Sequence, residues 1–152
     1  MKKNVTELVC VIDRSISMRR REKQVLCCYN RLLEDYRAKE EKCFVTTCLF
    51  ADKVNILCLH NEISFVNPLT RGVYYVEGST ALFDAVKITF RHVDECLEYL
   101  KDEIKKQIHV YLITDGMDNG SVEVIHKEFE ALIQNKRETG WKIQIIKPEC
   151  GG

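Results

Sequence analysis

Two short segments place carboxylates and hydroxyl groups directly after strongly apolar runs. Asp13, Ser15 and Ser17 alternate along the first segment, and Asp115 follows Thr114 in the second. A loop with this alternation can turn its three oxygen-bearing side chains toward one point. Carboxylate and hydroxyl oxygens are the ligands that hard cations such as Mg²⁺, Ca²⁺ and Mn²⁺ prefer. These residue types therefore indicate a site for a divalent cation.

The strands and helices that would position these loops can be predicted from the apolar pattern. Continuous apolar runs at 8–12 and 108–114 predict buried strands, and each run leads into one of the two carboxylates. Shorter strand patterns lie at 43–50, 54–59 and 142–147, with a tight turn at 51–53. Stripes at helical spacing predict helices over about 20–39, from Leu82 to Leu100, and from Ser121 to near Gly140.

This alternation of strands and helices predicts an α/β fold. We expect a three-layer, doubly wound, Rossmann-like arrangement, with a mostly parallel sheet, one antiparallel edge strand and helices on both faces. In open sheets of this kind, ligands bind beyond the carboxyl ends of the strands. Asp13 and Asp115 would both lie at that edge.

Composition excludes several other classes of protein. The chain has 152 residues, with 23 Lys plus Arg and 23 Asp plus Glu, so its formal net charge is zero. That balance argues against binding to nucleic acid, which usually requires a basic excess. A hydrophobic content of 45% argues against disorder, and no apolar run approaches the length of a membrane span. We expect one domain over 1–147 and a short flexible tail over 148–152.

The eight cysteines do not form a recognisable metal or disulfide motif. Several lie inside apolar runs, no two are spaced as Cys-x-x-Cys, and none groups with histidine at zinc-finger spacing. We therefore expect free and mostly buried thiols, which is typical of a cytoplasmic protein.

Three segments together resemble the von Willebrand factor type A domain. They are the Asp-x-Ser-x-Ser pattern at 13–17, Gly-Ser-Thr-Ala-Leu at 78–82 and Thr-Asp-Gly at 114–116. Their order and the elements that carry them match the family, and the flanking residues look most like its small stand-alone bacterial members. The resemblance implies a metal-ion-dependent adhesion site. The positions carried over to this chain are Asp13, Ser15, Ser17, Thr80 and Asp115.

The resemblance also implies a function. In the family, an acidic residue of a protein partner completes the coordination of the ion. Asp13 and Asp115 would neutralise one divalent cation, for which Mg²⁺ is the first choice and Mn²⁺ or Ca²⁺ are possible. We therefore expect a metal-dependent protein–protein interaction module, not an enzyme, inside a bacterial cell.

Two departures from the family pattern stand out. Ile16 occupies a position where bacterial relatives usually have glycine, which would cost stability if that position required a positive φ. The family normally continues with a further strand and a closing helix, so we expect this sequence to be either a naturally short domain or a trimmed one. The last predicted strand would then be an exposed edge, at which a second copy of the chain could pair.

Several residues near the proposed site have two interpretations. Ser15 and Ser17 could instead cap the first helix. Tyr74 and Tyr75 could contact a partner or could hold a long loop against the core. The residues expected to contact or steer an acidic partner are Arg19, Arg20, Arg21 and Asp118.

Two other functions stay open. The chain could be a structural module of the same family with a weak or vestigial metal site. A metal-dependent phosphohydrolase is less favoured, because Ser15 stands where an Asp-x-Asp enzyme needs its second carboxylate. The sequence also has no Walker loop, Gly-x-Gly-x-x-Gly or Gly-x-Ser-x-Gly motif.

Overall fold

The computed structural model describes residues 4–78, 82–100, 104–115 and 123–148, without the side chains of 123–126. The strands of this part form one sheet in the order β3-β2-β1-β4-β5. They are β1 (Asn4–Asp13), β2 (Lys42–Phe50), β3 (Val54–Glu62), β4 (Lys105–Ile113) and β5 (Lys142–Ile146). β1 pairs in parallel with β2 and β4, β4 pairs in parallel with β5, and β2 and β3 form an antiparallel hairpin. The predicted α/β fold, with a mostly parallel sheet and one antiparallel edge strand, is confirmed.

Three α-helices connect these strands. They are α1 (Glu22–Arg37), α2 (Leu82–Glu98) and α3 (Glu123–Glu138), and single turns of 3₁₀ helix lie at Ile16–Met18 and Ile63–Phe65. The predicted elements all exist, but three strands are longer than expected. β1 already begins at Asn4, β3 continues to Glu62, and β4 begins at Lys105, because main-chain pairing with a neighbouring strand extends into mostly polar residues that carry little apolar signal.

β1 lies at the centre of the sheet, and its side chains alternate between two apolar clusters. Leu8, Cys10 and Ile12 belong to the cluster that contains α1 residues such as Tyr29 and Leu33. Val9 and Val11 belong to the cluster that contains α2 residues such as Val86 and Phe90, together with Ile133 of α3. Each fully buried side chain of this kind contributes roughly 1.5–3 kcal/mol to folding. The continuous apolar run of β1 is thus explained by burial on both sides.

The strand register brings the two carboxylate loops to one edge of the sheet. Ile12 is paired with Ile113, so the residues that follow each strand are neighbours. Asp115 accordingly lies after β4, the fourth strand along the chain and the neighbour of β1 in the sheet.

The cysteines between residues 4 and 100 are free. Cys10, Cys43 and Cys48 are buried, as predicted, whereas Cys27 is exposed.

None of the described helices is long and apolar enough to cross a lipid bilayer.

A second carboxylate is buried in the sheet, away from the carboxyl edge. The Glu7 side chain is 1% exposed, and its Oε1 lies 2.6 Å from Nδ1 of His60 on β3. Burial raises the pKa of Glu7 to about 8 and lowers the pKa of His60. The Phe44 ring stacks on the His60 imidazole. Because burial disfavours both charges, Glu7 and His60 are mainly neutral near pH 7.

We predict that Glu7→Gln flattens the pH dependence of stability. Native Glu7 holds its proton up to about pH 8, whereas its ordinary pKa is 4.5, so its contribution to stability is lost as the pH rises through this window. Glutamine keeps the shape but cannot ionise. Between pH 5 and pH 8, urea unfolding should show that the variant loses roughly 1–3 kcal/mol less stability than the wild type.

The matched control for this experiment is Glu62→Gln, which changes an exposed carboxylate on β3. This control should keep the pH slope of the wild type. If Glu7→Gln also kept that slope, Glu7 would not titrate as a buried group, and the prediction would be wrong.

Candidate metal centre

Asp13, the last residue of β1, is held at both carboxylate oxygens and at its carbonyl. Its side chain has no solvent-exposed surface. Oδ1 accepts a hydrogen bond from the backbone N–H of Ser15 at 2.8 Å, and Oδ2 accepts one from Oγ1 of Thr114 at 2.8 Å. The Tyr74 hydroxyl donates to the Asp13 carbonyl at 2.6 Å. Groups from three separate segments therefore fix the position of this carboxylate.

The surroundings of Asp13 disfavour its negative charge. Burial raises its pKa, the hydrogen bonds from Ser15 and Thr114 partly oppose that shift, and the nearby Asp115 carboxylate raises it further. A cation placed beside the two carboxylates would relieve both the desolvation and the mutual repulsion. The electrostatics of the pair thus suit a positive ion.

The two predicted serine ligands lie together beside Asp13. Ser15 precedes the 3₁₀ turn at Ile16–Met18 and Ser17 lies within it, and their Oγ atoms are 2.9 Å apart. Neither the 3₁₀ turn nor α1 has a side-chain hydrogen bond at its N-cap. The alternative interpretation, in which these hydroxyls cap the first helix, is therefore wrong.

Ile16 adopts an ordinary backbone conformation. Apart from glycine, the described residues with positive φ are Arg20 and His60. Ile16 lies in the 3₁₀ turn with its side chain half-exposed. The strain that a positive φ would have caused at this position is absent, so the family's usual glycine is not needed here.

The remaining predicted ligands are Asp115 and Thr80. Asp115 is half-buried and follows Thr114, whose N–H donates to the Ile146 carbonyl of β5. Gly78, two residues before Thr80 in the sequence, accepts at its carbonyl a hydrogen bond from the N–H of Ile16. Thr80 itself lies outside the described residues, as does Asp118. The structure thus brings together Asp13, Ser15, Ser17 and Asp115.

Gly78 is required at its position for two reasons. Its φ of +74° lies in the left-handed region that side chains disfavour. A Cβ on this residue would also lie 2.6 Å from Oδ1 of Asp52 in the β2–β3 turn. The loop after Tyr74 can therefore approach this turn only with glycine at residue 78.

Two side chains that hold Asp13 were not predicted as site residues. The sequence could have identified Thr114 as a site residue, since it belongs to the Thr-Asp-Gly segment. Tyr74 is fully buried, which confirms the interpretation that it holds its loop against the core. Tyr75 is half-exposed, and its ring lies 4.9 Å from the guanidinium carbon of Arg14.

The three arginines at 19–21 differ in exposure and in their contacts within the chain. Arg19 and Arg20 are exposed. Arg21 donates from Nη1 to the carbonyl of the buried Pro148 at 2.7 Å, so it links the start of α1 to the segment after β5.

The donor set fits a hard divalent cation. In the part of the chain that the structure describes, no three His, Cys, Asp or Glu side chains group as a metal site. The predicted set contains only two carboxylates, and its other members are hydroxyls. Oxygen-only ligands of this kind suit Mg²⁺, Mn²⁺ or Ca²⁺ and do not suit softer metals.

Comparisons with known proteins reveal similarity at the level of the fold. No protein-family model matches the chain, and no curated protein sequence matches it. Two structures of proximal thread matrix protein 1 from the mussel byssus superpose with TM-scores of 0.57 and 0.62, at 18% identity over 95% of this chain. The chain spans 36% of the length of that protein's chain. At this identity the similarity shows a shared fold alone.

We predict that Tyr74→Phe destabilises the protein, because it removes a contact that holds Asp13 at the end of β1. The variant removes the hydroxyl that donates to the Asp13 carbonyl and leaves a buried acceptor without that donor. Urea unfolding should show a loss of about 1–3 kcal/mol. Tyr99→Phe is the control, because the Tyr99 side chain is 89% exposed, and it should change stability by less than about 0.5 kcal/mol. Equal stability of the two variants would contradict the role of Tyr74.

Proposed function

We propose that the chain is a von Willebrand factor type A-like module that binds a protein partner through one divalent cation. The observation that carries this proposal is the buried Asp13 carboxylate, which lies beside the paired hydroxyls of Ser15 and Ser17 and near Asp115. Two neighbouring carboxylates, one buried and the other half-buried, are costly without a compensating positive charge.

We further propose the three-layer, doubly wound architecture with helices on both faces of the sheet. Successive β1 residues belong to different clusters, one with α1 and the other with α2 and α3. The chain also runs from β1 to β2 on one side and later returns to β4 on the other side. The space between β1 and β4 is then the switch point at which such folds bind ligands, and Asp13 and Asp115 follow these two strands.

The residues that would hold the ion are Asp13, Ser15, Ser17 and Asp115, together with Thr80 beyond the described segments. Mg²⁺ is the first choice, with Mn²⁺ or Ca²⁺ as alternatives. When bound, the ion supplies an open coordination position for a carboxylate of the partner. The chain's own residues bind and orient the ion, and we assign them no catalytic step.

The partner is accordingly a protein that presents an acidic residue. Arg19 and Arg20 are exposed just after the 3₁₀ turn of the site, and they would attract such a partner during its approach. Arg21 contributes less, because its guanidinium is engaged with Pro148. A contribution from Asp118 stays a prediction.

We predict one divalent-cation site per chain by isothermal titration with Mg²⁺ or Mn²⁺. Asp13→Ala should remove it, because the variant lacks the most buried carboxylate of the set. Ser17→Ala removes a half-buried hydroxyl of the proposed ligand set, and it should weaken binding by about tenfold.

The control is Asp35→Ala, which removes an exposed carboxylate from α1 and should leave the titration unchanged. If the wild type binds no ion at millimolar concentrations of Mg²⁺ or Mn²⁺, the metal site is vestigial. The structural-module alternative would then be preferred.

Thermal unfolding separates the two functions independently of any partner. A ligand that binds only the native state must raise its stability. The proposed site therefore predicts a higher Tm with Mg²⁺ in the wild type and no change in Asp13→Ala. A purely structural module predicts the same Tm with and without the ion.

A further inference from the structure

Arg14, the residue after Asp13, is buried at the rim of the proposed site. Its backbone N–H donates to the Phe50 carbonyl, and its own carbonyl accepts a hydrogen bond from the N–H of Glu77. Its side chain is only 9% exposed. A buried guanidinium requires negative partners, because an unpaired charge in a protein interior is costly.

The negative partner that the structure provides is Glu77, but the pairing is incomplete. Oε1 of Glu77 lies 3.1 Å from Nη1 of Arg14, yet Nη1 makes no hydrogen bond within the described residues. The Glu77 side chain is 56% exposed, so water competes for its carboxylate. Because Arg14 is buried, its guanidinium needs a negative partner at all times. The exposed Glu77 carboxylate can nevertheless be exchanged for another carboxylate that binds the planar guanidinium with two hydrogen bonds.

Two large side chains are exposed on the loops that carry Arg14 and Glu77. Tyr75 is half-exposed and lies next to the Arg14 guanidinium, whereas Ile16 is half-exposed on the 3₁₀ turn between the two serines. The hydrogen bond from Ile16 to Gly78 holds the two loops together. The rim of the site thus offers a cation and an apolar surface side by side.

We propose that Arg14 is a second carboxylate-binding position of this site and that Glu77 occupies it until the partner binds. The partner is then an acidic segment that carries two carboxylates beside an apolar side chain. One carboxylate reaches the ion, the other displaces Glu77 from Arg14, and the apolar side chain packs on Tyr75 and Ile16. This inference rests on the proposed function, because it specifies the partner of the same site.

The test is binding of a defined peptide, measured by fluorescence anisotropy in the presence of Mn²⁺. The probe is a fluorescein-labelled peptide of aspartates flanked by leucines, and its neutral counterpart has asparagines in place of the aspartates. Glu77→Gln removes the competing carboxylate and should bind the acidic peptide about threefold to tenfold more tightly than the wild type. It should show no such gain for the neutral peptide.

The matched control is Asp52→Asn. Asp52 is an exposed carboxylate that lies beside Gly78 at the same edge, so this variant removes the same charge without releasing Arg14. Its affinity for the acidic peptide should stay within about twofold of the wild type. An equal gain in the two variants would mean a general charge effect and would overturn the proposal. Absence of a gain in Glu77→Gln, including absence of any binding, would also overturn it.

The same Glu77→Gln change, made in a variant that already carries Arg14→Lys, tests Arg14 directly. Arg14→Lys keeps the positive charge but lacks the planar guanidinium that can make two hydrogen bonds to one carboxylate. Adding Glu77→Gln to this variant should therefore no longer tighten binding of the acidic peptide. A full gain in the double variant would contradict the role of Arg14. Because Arg14 is buried, thermal unfolding must first show that the variant folds, and the comparison of Glu77→Gln with Asp52→Asn decides the proposal if it does not.

The same titrations with EDTA in place of Mn²⁺ separate this inference from the proposed function. If the metal site fails, chelation changes nothing, and the difference between Glu77→Gln and Asp52→Asn still decides whether Arg14 binds carboxylates. If the metal site is present and Arg14 has no such role, chelation weakens binding equally in all variants.

Discussion

The burial of the Asp13 carboxylate is the constraint on which the rest of this edge of the sheet depends. A charged group in this position needs compensating contacts, and the chain provides them from distant segments: the Ser15 amide, the Thr114 hydroxyl and the Tyr74 hydroxyl. These three contacts tie the end of β1 to the end of β4 and to the loop before Gly78. The contacts that hold Asp13 therefore also assemble the loops that would bind an ion.

Burial raises the pKa of two carboxyl groups in β1, but their hydrogen-bond partners differ. Glu7, near the start of the strand, lies against His60, and burial raises its pKa to about 8, so the carboxyl group is mainly neutral near pH 7. Burial also raises the pKa of Asp13, at the end of the strand, but two hydrogen bonds favour its charged form and partly oppose that shift. Glu7 is thus suited to a structural role inside the sheet. Asp13 is suited to bind a cation at its edge.

Much of the fold could be predicted because its signals are local. The apolar run of β1 and the helical stripe of α1 can be recognised from neighbouring residues alone, and polar continuations such as the end of β3 at Glu62 could not. The Asp-x-Ser-x-Ser spacing likewise placed Ser15 and Ser17 together. The contacts from Tyr74 to Asp13 and from His60 to Glu7 join residues that are far apart in the chain. No spacing in the sequence encodes such pairs, because the loop paths and strand register that create them depend on the whole fold.

The most direct test of this account is a crystal structure grown with Mn²⁺, in which anomalous scattering locates the ion. We expect one strong anomalous peak per chain, bonded to oxygen atoms of Asp13, Ser15 and Ser17 at the carboxyl end of β1. A peak bound elsewhere, or a well-ordered Asp13 loop without any peak at millimolar Mn²⁺, would contradict the central claim that this edge of the sheet is a metal-dependent docking site.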